Sequence, residues 1–165
     1  MKYEDLVDAL HTYCDSQTRL PALLVQGGVH GVDSNWLKAL GEIWSLCDNV
    51  NHNRVWIESL VKADGVIPEL MSEEELAYFA TLPDEIVIYR GAGKDGNGLC
   101  WSMSKEIASR FPFLNRYTRD DPYLHTATVP KSKVWAIKLD RNEQEIVTPF
   151  ATIIKSESLY KQCDE

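Results

Sequence analysis

The sequence has few cysteines, and their spacing does not suggest that they stabilise a fold. No Cys-x-x-Cys pair occurs, and no histidines stand at zinc-finger spacing, so neither a disulfide framework nor a structural metal is expected. Reduced thiols of this kind are typical of a cytosolic protein. The four cysteines are Cys14, Cys47, Cys100 and Cys163.

Long apolar runs are also absent. No segment approaches the roughly 20 apolar residues that span a bilayer, and the amino terminus lacks the basic and then apolar stretches of a secretory signal. We therefore expect a cytoplasmic location, in the cell that makes the protein or in a host cell, and no membrane partner. At 165 residues the chain is long enough to bury a sizeable core.

Basic residues are scarce in the first half of the chain. Residues 1–89 carry 5 Lys and Arg against 15 Asp and Glu, whereas residues 90–119 carry 6 against 2, within a net charge of −8. An acidic surface repels nucleic-acid backbones, which makes a nucleic acid the less attractive partner for this protein. The basic block suits a small phosphate-bearing ligand, although a solvated helix face explains the charge equally well. Its members are Arg90, Lys94, Lys105, Arg110, Arg116 and Arg119.

The periodicity of apolar residues divides the chain near Pro83. Before it, helices are predicted over about 3–14, 34–47, 53–63 and 72–81, with a loop over 26–33. After it, strands are predicted over about 85–89, 99–101, 124–129, 134–139, 145–148 and 151–155, together with a helix that Ser104 caps. This pattern predicts an α+β fold, in which a helical subdomain (residues 1–82) and a mostly antiparallel sheet (residues 83–165) form one compact unit.

The run from Gly91 to Gly96 matches the G-x-G-x-x-G fingerprint of dinucleotide-binding folds, but its context does not. The last glycine of that fingerprint opens a helix, whereas here a strand near Trp101 follows, so a flexible turn between two strands is predicted. Ser102 likewise lacks the Gly-x-Ser-x-Gly surroundings of a nucleophile, and His125 is the only histidine after it. Its hydroxyl is better suited to orienting a neighbouring carboxylate.

Four residues carry candidate chemistry. Arg90 ends a strand and offers a fork of donors to phosphate or ribose oxygens, and Gly91 lets a planar ring approach its backbone amide. Glu143 and Glu145 stand two apart at the start of a late strand, so both side chains point to one face. Paired carboxylates are usually solvating charge, but they can also stabilise an oxocarbenium-like sugar and activate a nucleophile, as in glycosidases.

In this order the motifs resemble those of the Arg–Ser–Glu class of mono-ADP-ribosyltransferases, which includes bacterial toxins and bacteriophage enzymes. The resemblance covers residues 82–149, about half of the chain, through Tyr-Arg-Gly at 89–91, Trp-Ser-Met-Ser at 101–104 and Glu-Gln-Glu at 143–145. The serine motif departs from the commoner Ser-Thr-Ser. The resemblance implies a split sheet whose cleft binds NAD as co-substrate and needs no metal.

The resemblance also implies how NAD is bound. Arg90 would hold the phosphates and the nicotinamide-side ribose, and Gly91 would bond the carboxamide through its backbone. Ser102, with Ser104 beside it, would order the site. The aromatic residue that packs on nicotinamide would be Phe111, with two alternatives, Phe113 and Tyr117.

The two glutamates would divide the transfer reaction between them. Glu145 would act on the nicotinamide ribose, and Glu143 would engage the acceptor, an arginine of a target protein. Two alternatives stay open: an NAD glycohydrolase, in which water replaces the acceptor, and a non-catalytic protein that keeps the fold as an interaction module.

Overall fold

A computed structural model describes residues 2–114, 121–142 and 144–160. Helices occupy the first half of this part of the chain, and a six-stranded sheet with one further helix follows, which confirms the predicted α+β class. The helices are α1 (Tyr3–Tyr13), α2 (Arg19–His30), α3 (Ser34–Ile43), α4 (Arg54–Val61), α5 (Glu73–Ala80) and α6 (Lys105–Arg110). The strands are β1 (Glu85–Ala92), β2 (Cys100–Ser102), β3 (Tyr123–Pro130), β4 (Ala136–Lys138), β5 (Glu145–Val147) and β6 (Thr152–Ser158).

The predicted loop over 26–33 is wrong for residues 26–30, because helix α2 continues to His30, and correct for residues 31–33, which join α2 to α3. Its glycines suggested a loop, yet one of them has a packing role inside the helix. A Cβ on Gly27 would lie 2.6 Å from the indole nitrogen of Trp36. That nitrogen donates to the Leu23 carbonyl at 2.8 Å, so the missing side chain lets α3 pack closely against α2.

All strand pairings of the sheet are antiparallel, in the order β4-β5-β2-β1-β3-β6. The long strands β1 and β3 pair over eight positions. By contrast, β1 joins β2 at one paired position, Tyr89 opposite Ser102. The sheet is therefore weakly connected between its long-stranded part and the short strands β2, β5 and β4.

The helices and the sheet share one cluster of buried apolar side chains, which runs from Leu6 in α1 to Val147 in β5. Among the described residues, no helix combines the length and the apolar character needed to cross a membrane.

A buried ion pair connects α5 to β4 within this core. Glu75 and Lys138 are 3% and 5% exposed, and the lysine Nζ donates to Glu75 Oε1 at 2.9 Å. The other carboxylate oxygen accepts the Leu139 N–H at 2.8 Å. Glu75 also forms a capping box with Ser72, whose N–H it accepts at 2.9 Å. One side chain thus begins a helix and fixes that helix to the sheet.

Candidate active site

Neighbouring strands bring the predicted site residues together. Ser102 on β2 pairs with Tyr89 on β1 and with Glu145 on β5, so it lies between the two strands that carry the other candidates. Helix α6 and the 3₁₀ turn after it lie over this junction, and a cavity remains beneath them. Five of the predicted residues line that cavity: Arg90, Gly91, Ser102, Phe111 and Glu145.

Arg90 is held in place by the strand beside it. Its Nη1 donates to the Cys100 carbonyl at 2.7 Å. Its guanidinium also lies against Gly98, where a Cβ would be 2.6 Å from Nη2. The side chain is half-buried and fixed before any ligand binds, which lowers the entropic cost of binding an anion.

Ser102 and Ser104 have different roles in the structure. Ser102 is buried, and its hydroxyl oxygen accepts the Ser104 N–H at 3.0 Å, two residues along the chain. Ser104 caps α6 as predicted, because its own hydroxyl accepts the Ile107 N–H at 3.2 Å. Ser102 therefore lines the cavity, while Ser104 fixes the start of the helix that covers it.

Gly91 has a packing role that the sequence did not indicate. A Cβ at this position would overlap the Ala108 carbonyl oxygen and would lie 2.6 Å from Cδ of Pro112. The space that a side chain would need is taken by α6 and the turn after it. The missing side chain thus lets α6 pack directly on β1, next to the cavity.

Replacing Gly91 with Ala should therefore lower the free energy of unfolding by about 1–3 kcal/mol, as overpacking commonly does. Gly93→Ala is the matched control, because a Cβ at that position would have nothing within 4 Å and the φ of Gly93 is not positive. Urea denaturation of the two variants checks this. Equal stability of both would contradict the packing role.

Cys100 is a cavity residue that was not predicted. It lines the cavity two residues before Ser102 and so lies on the same face of β2. Burial raises the pKa of its thiol well above the usual value, and the charge and hydrogen bond of Glu145 raise it further. Cys100 is therefore a neutral donor beside the Glu145 carboxylate. The strand alternation around Ser102 was the signal that could have found it.

His125 secures the glycine loop and lies outside the cavity lining. Its Nε2 is 2.8 Å from the Gly93 carbonyl, so this nitrogen carries the proton, and its Nδ1 is 2.8 Å from the Ser156 hydroxyl. A Cβ on Gly96 would lie 2.5 Å from the ring. The loop between β1 and β2 therefore packs on a buried histidine.

Several predicted residues are not part of this arrangement. Phe113 is 52% exposed and does not line the cavity. Of the basic block, Lys94 and Lys105 are exposed, and Arg110 pairs with Glu106 on the same helix. The candidates outside the described residues are Glu143, Arg116, Arg119 and Tyr117.

Comparison of the chain with known protein families, with curated proteins and with solved structures finds no match. Within residues 2–114, 121–142 and 144–160, no group of three or more His, Cys, Asp and Glu side chains is arranged to hold a metal ion. A proposal of function rests on the residues of the cavity.

Proposed function

We propose that the protein is an NAD-dependent mono-ADP-ribosyltransferase with an ADP-ribosyltransferase-like core. One observation carries the proposal: Arg90, Ser102 and Glu145, which are far apart in the chain, line a single cavity. A fixed cation, a buried hydroxyl and a half-buried carboxylate are the groups needed to hold a dinucleotide and to stabilise a cationic sugar. The order of these residues, which resembles the Arg–Ser–Glu class, supports the same reaction.

The chemistry follows from the charges of these groups. Arg90 binds phosphate oxygens, which orients the nicotinamide-side ribose towards Glu145. The bond between C1′ and the nicotinamide nitrogen breaks, and nicotinamide leaves with the electron pair. Glu145 stabilises the positive charge that develops on the ribose. A nitrogen of an acceptor arginine then bonds to C1′ and releases its proton.

The shape of the sheet supports a cleft at this position. β1 and β2 are joined at one paired position within the continuous six-stranded sheet, so the sheet has its fewest pairings beside the cavity. A cleft between the two parts of the sheet, which the resemblance implies, would fall at this junction. In the same proposal Glu143 directs the acceptor, as the Glu-x-Glu order at residues 143–145 suggests.

Incubation of the protein with NAD labelled on its adenylate, in a cell lysate, should release nicotinamide and label a protein. Stability of the label to nuclease and its loss with protease would identify a protein acceptor, and mass spectrometry would locate the modified arginine. Nicotinamide release without any labelled macromolecule would select the glycohydrolase instead. If the purified protein neither binds NAD in calorimetry nor releases nicotinamide, the proposed function is wrong.

A further inference from the structure

Cys100 lies between the candidate carboxylate Glu145 and the helical half of the protein. In the antiparallel pairing of β2 with β5, Glu145 is opposite Ser102, which comes two residues after Cys100. Opposed residues and residues two apart share one face of a sheet, so Cys100 is the diagonal neighbour of Glu145 on the face that lines the cavity. The Cys100 thiol is hydrogen-bonded to the Glu145 carboxylate.

The thiol is the donor in this hydrogen bond. An ionised carboxylate only accepts, and burial, together with the charge of Glu145, raises the pKa of the thiol well above its usual value. Cys100 therefore keeps its proton at neutral pH and directs it at the carboxylate. A hydrogen bond of this kind limits rotation of the carboxylate, which keeps the negative charge in one place beside the cavity.

Trp44 contacts the same thiol from the helical half. It lies in the turn after α3, at residues 44–46, and it is 3% exposed. Together with Cys100 and Glu145 it lines the side of the site that faces the helices. Its indole N–H is hydrogen-bonded to the Cys100 sulfur. Because sulfur is a weak acceptor, this contact orients the thiol more than it stabilises the fold.

We propose that Cys100 is a positioning residue for Glu145 and that Trp44 holds Cys100 in place, an inference that rests on the proposed function. One hydrogen bond leads from the Trp44 N–H to the sulfur, and the next leads from the thiol to the carboxylate. The three residues come from the helical half and from two neighbouring strands. The helical half thus acts on the site by fixing the orientation of the carboxylate.

Cys100→Ala removes the donor and should lower kcat for nicotinamide release about tenfold, with KM for NAD within about twofold of the wild-type value. The loss falls on kcat because the carboxylate acts on charge that develops only as the bond breaks. Cys100→Ser keeps a donor of similar size in the same place, so kcat should return to within about threefold of wild type. A residue that only filled space would not separate alanine from serine in this way.

A double-mutant cycle tests the contribution of Trp44. Trp44→Phe removes the N–H, keeps an aromatic ring in its place, and should lower kcat about threefold in the wild-type chain. In the Cys100→Ala chain the same change should lower kcat no further, because the thiol that Trp44 orients is already missing.

Cys14→Ala is the matched control, since Cys14 is also a partly buried free thiol and lies outside the cavity lining. It should leave kcat and KM unchanged. The inference is overturned if Cys100→Ala keeps the wild-type kcat, if Cys100→Ser is as impaired as the alanine variant, or if Trp44→Phe has its full effect in the Cys100→Ala chain. Wild-type protein that releases no nicotinamide would instead refute the proposed function itself, so the two failures are distinguishable.

Discussion

Glu145→Gln should reduce nicotinamide release from NAD by about 10²- to 10³-fold, the usual cost of losing one preorganised electrostatic group. Glutamine keeps the size of the side chain and its place opposite Ser102 on β2 but removes the negative charge. The cationic ribose then forms without a counter-charge in a half-buried site. Because NAD itself does not gain this positive charge until the bond breaks, the loss should appear in kcat with little change in KM.

Glu157→Gln is a suitable control for this variant. Glu157 is an acidic residue at the end of the same sheet, on β6, where it pairs with Lys155 at 3.0 Å near the surface. Its replacement should leave kcat unchanged. A Glu145→Gln protein whose kcat stays within about threefold of wild type would refute the assignment of Glu145 as the carboxylate that acts on the ribose.

Glu75→Gln should lower the free energy of unfolding by about 3–5 kcal/mol, the usual effect of removing one partner from a buried ion pair. The neutral amide leaves the Lys138 ammonium buried with the Leu70 carbonyl, at 3.0 Å, as its other acceptor. Such a loss is a large part of the roughly 5–15 kcal/mol that stabilises a typical domain. Urea denaturation, followed by far-ultraviolet circular dichroism, measures it.

A double variant tests how much of the destabilisation comes from leaving the Lys138 charge unpaired, and how much from losing the other hydrogen bonds of Glu75. Glu75→Leu combined with Lys138→Met removes both charges, so it should be more stable than Glu75→Gln, because no uncompensated charge remains in the core. A double variant that is less stable than the single one would mean that the hydrogen bonds of Glu75 to Ser72 and Leu139 dominate its contribution.

The stabilising effect of Glu75 should also depend on pH. Burial alone would raise the pKa of its carboxyl, but the N–H groups of Ser72 and Leu139 and the charge of Lys138 outweigh burial and lower the pKa. A carboxyl with a lowered folded-state pKa stabilises the protein fully above its unfolded pKa, about 4.3. This stabilisation is lost as the pH falls through the folded-state pKa. The stability difference between wild type and Glu75→Gln should therefore shrink in acid.

Local signals in the sequence were sufficient for much of the fold. The Asp33 side chain accepts the Trp36 N–H at 2.8 Å and caps α3, which falls within the helix predicted over 34–47. A capping box of Ser72 and Glu75 begins α5, which falls within the helix predicted over 72–81. These features depend on a few neighbouring residues, so they can be predicted from the local sequence. Helix α2 was not predicted, because its glycines suggested a loop. Gly27 packs against Trp36 on another helix, and a contact of that kind cannot be read from neighbouring residues.

The candidate site was likewise predictable only where local patterns carry it. Arg90, Ser102 and Glu145 each carry a recognisable local pattern, and the structure brings all three to one cavity. The order of the short strands carried no such pattern, so the place of β5 beside β2 could not be foreseen. Trp44 is buried beside Cys100, a neighbour far along the chain that only the packing of the helices on the sheet provides.

The position of β5 between β2 and β4 also determines when this cavity can first form during synthesis. Arg90 and Ser102 leave the ribosome more than 40 residues before Glu145, but β5 is the strand that joins β4 to β2. A nascent chain that stops before residue 145 has neither the carboxylate nor the bridging strand. Because domains fold as units once their last elements emerge, incomplete chains should carry no NAD-consuming activity in the cell that makes them.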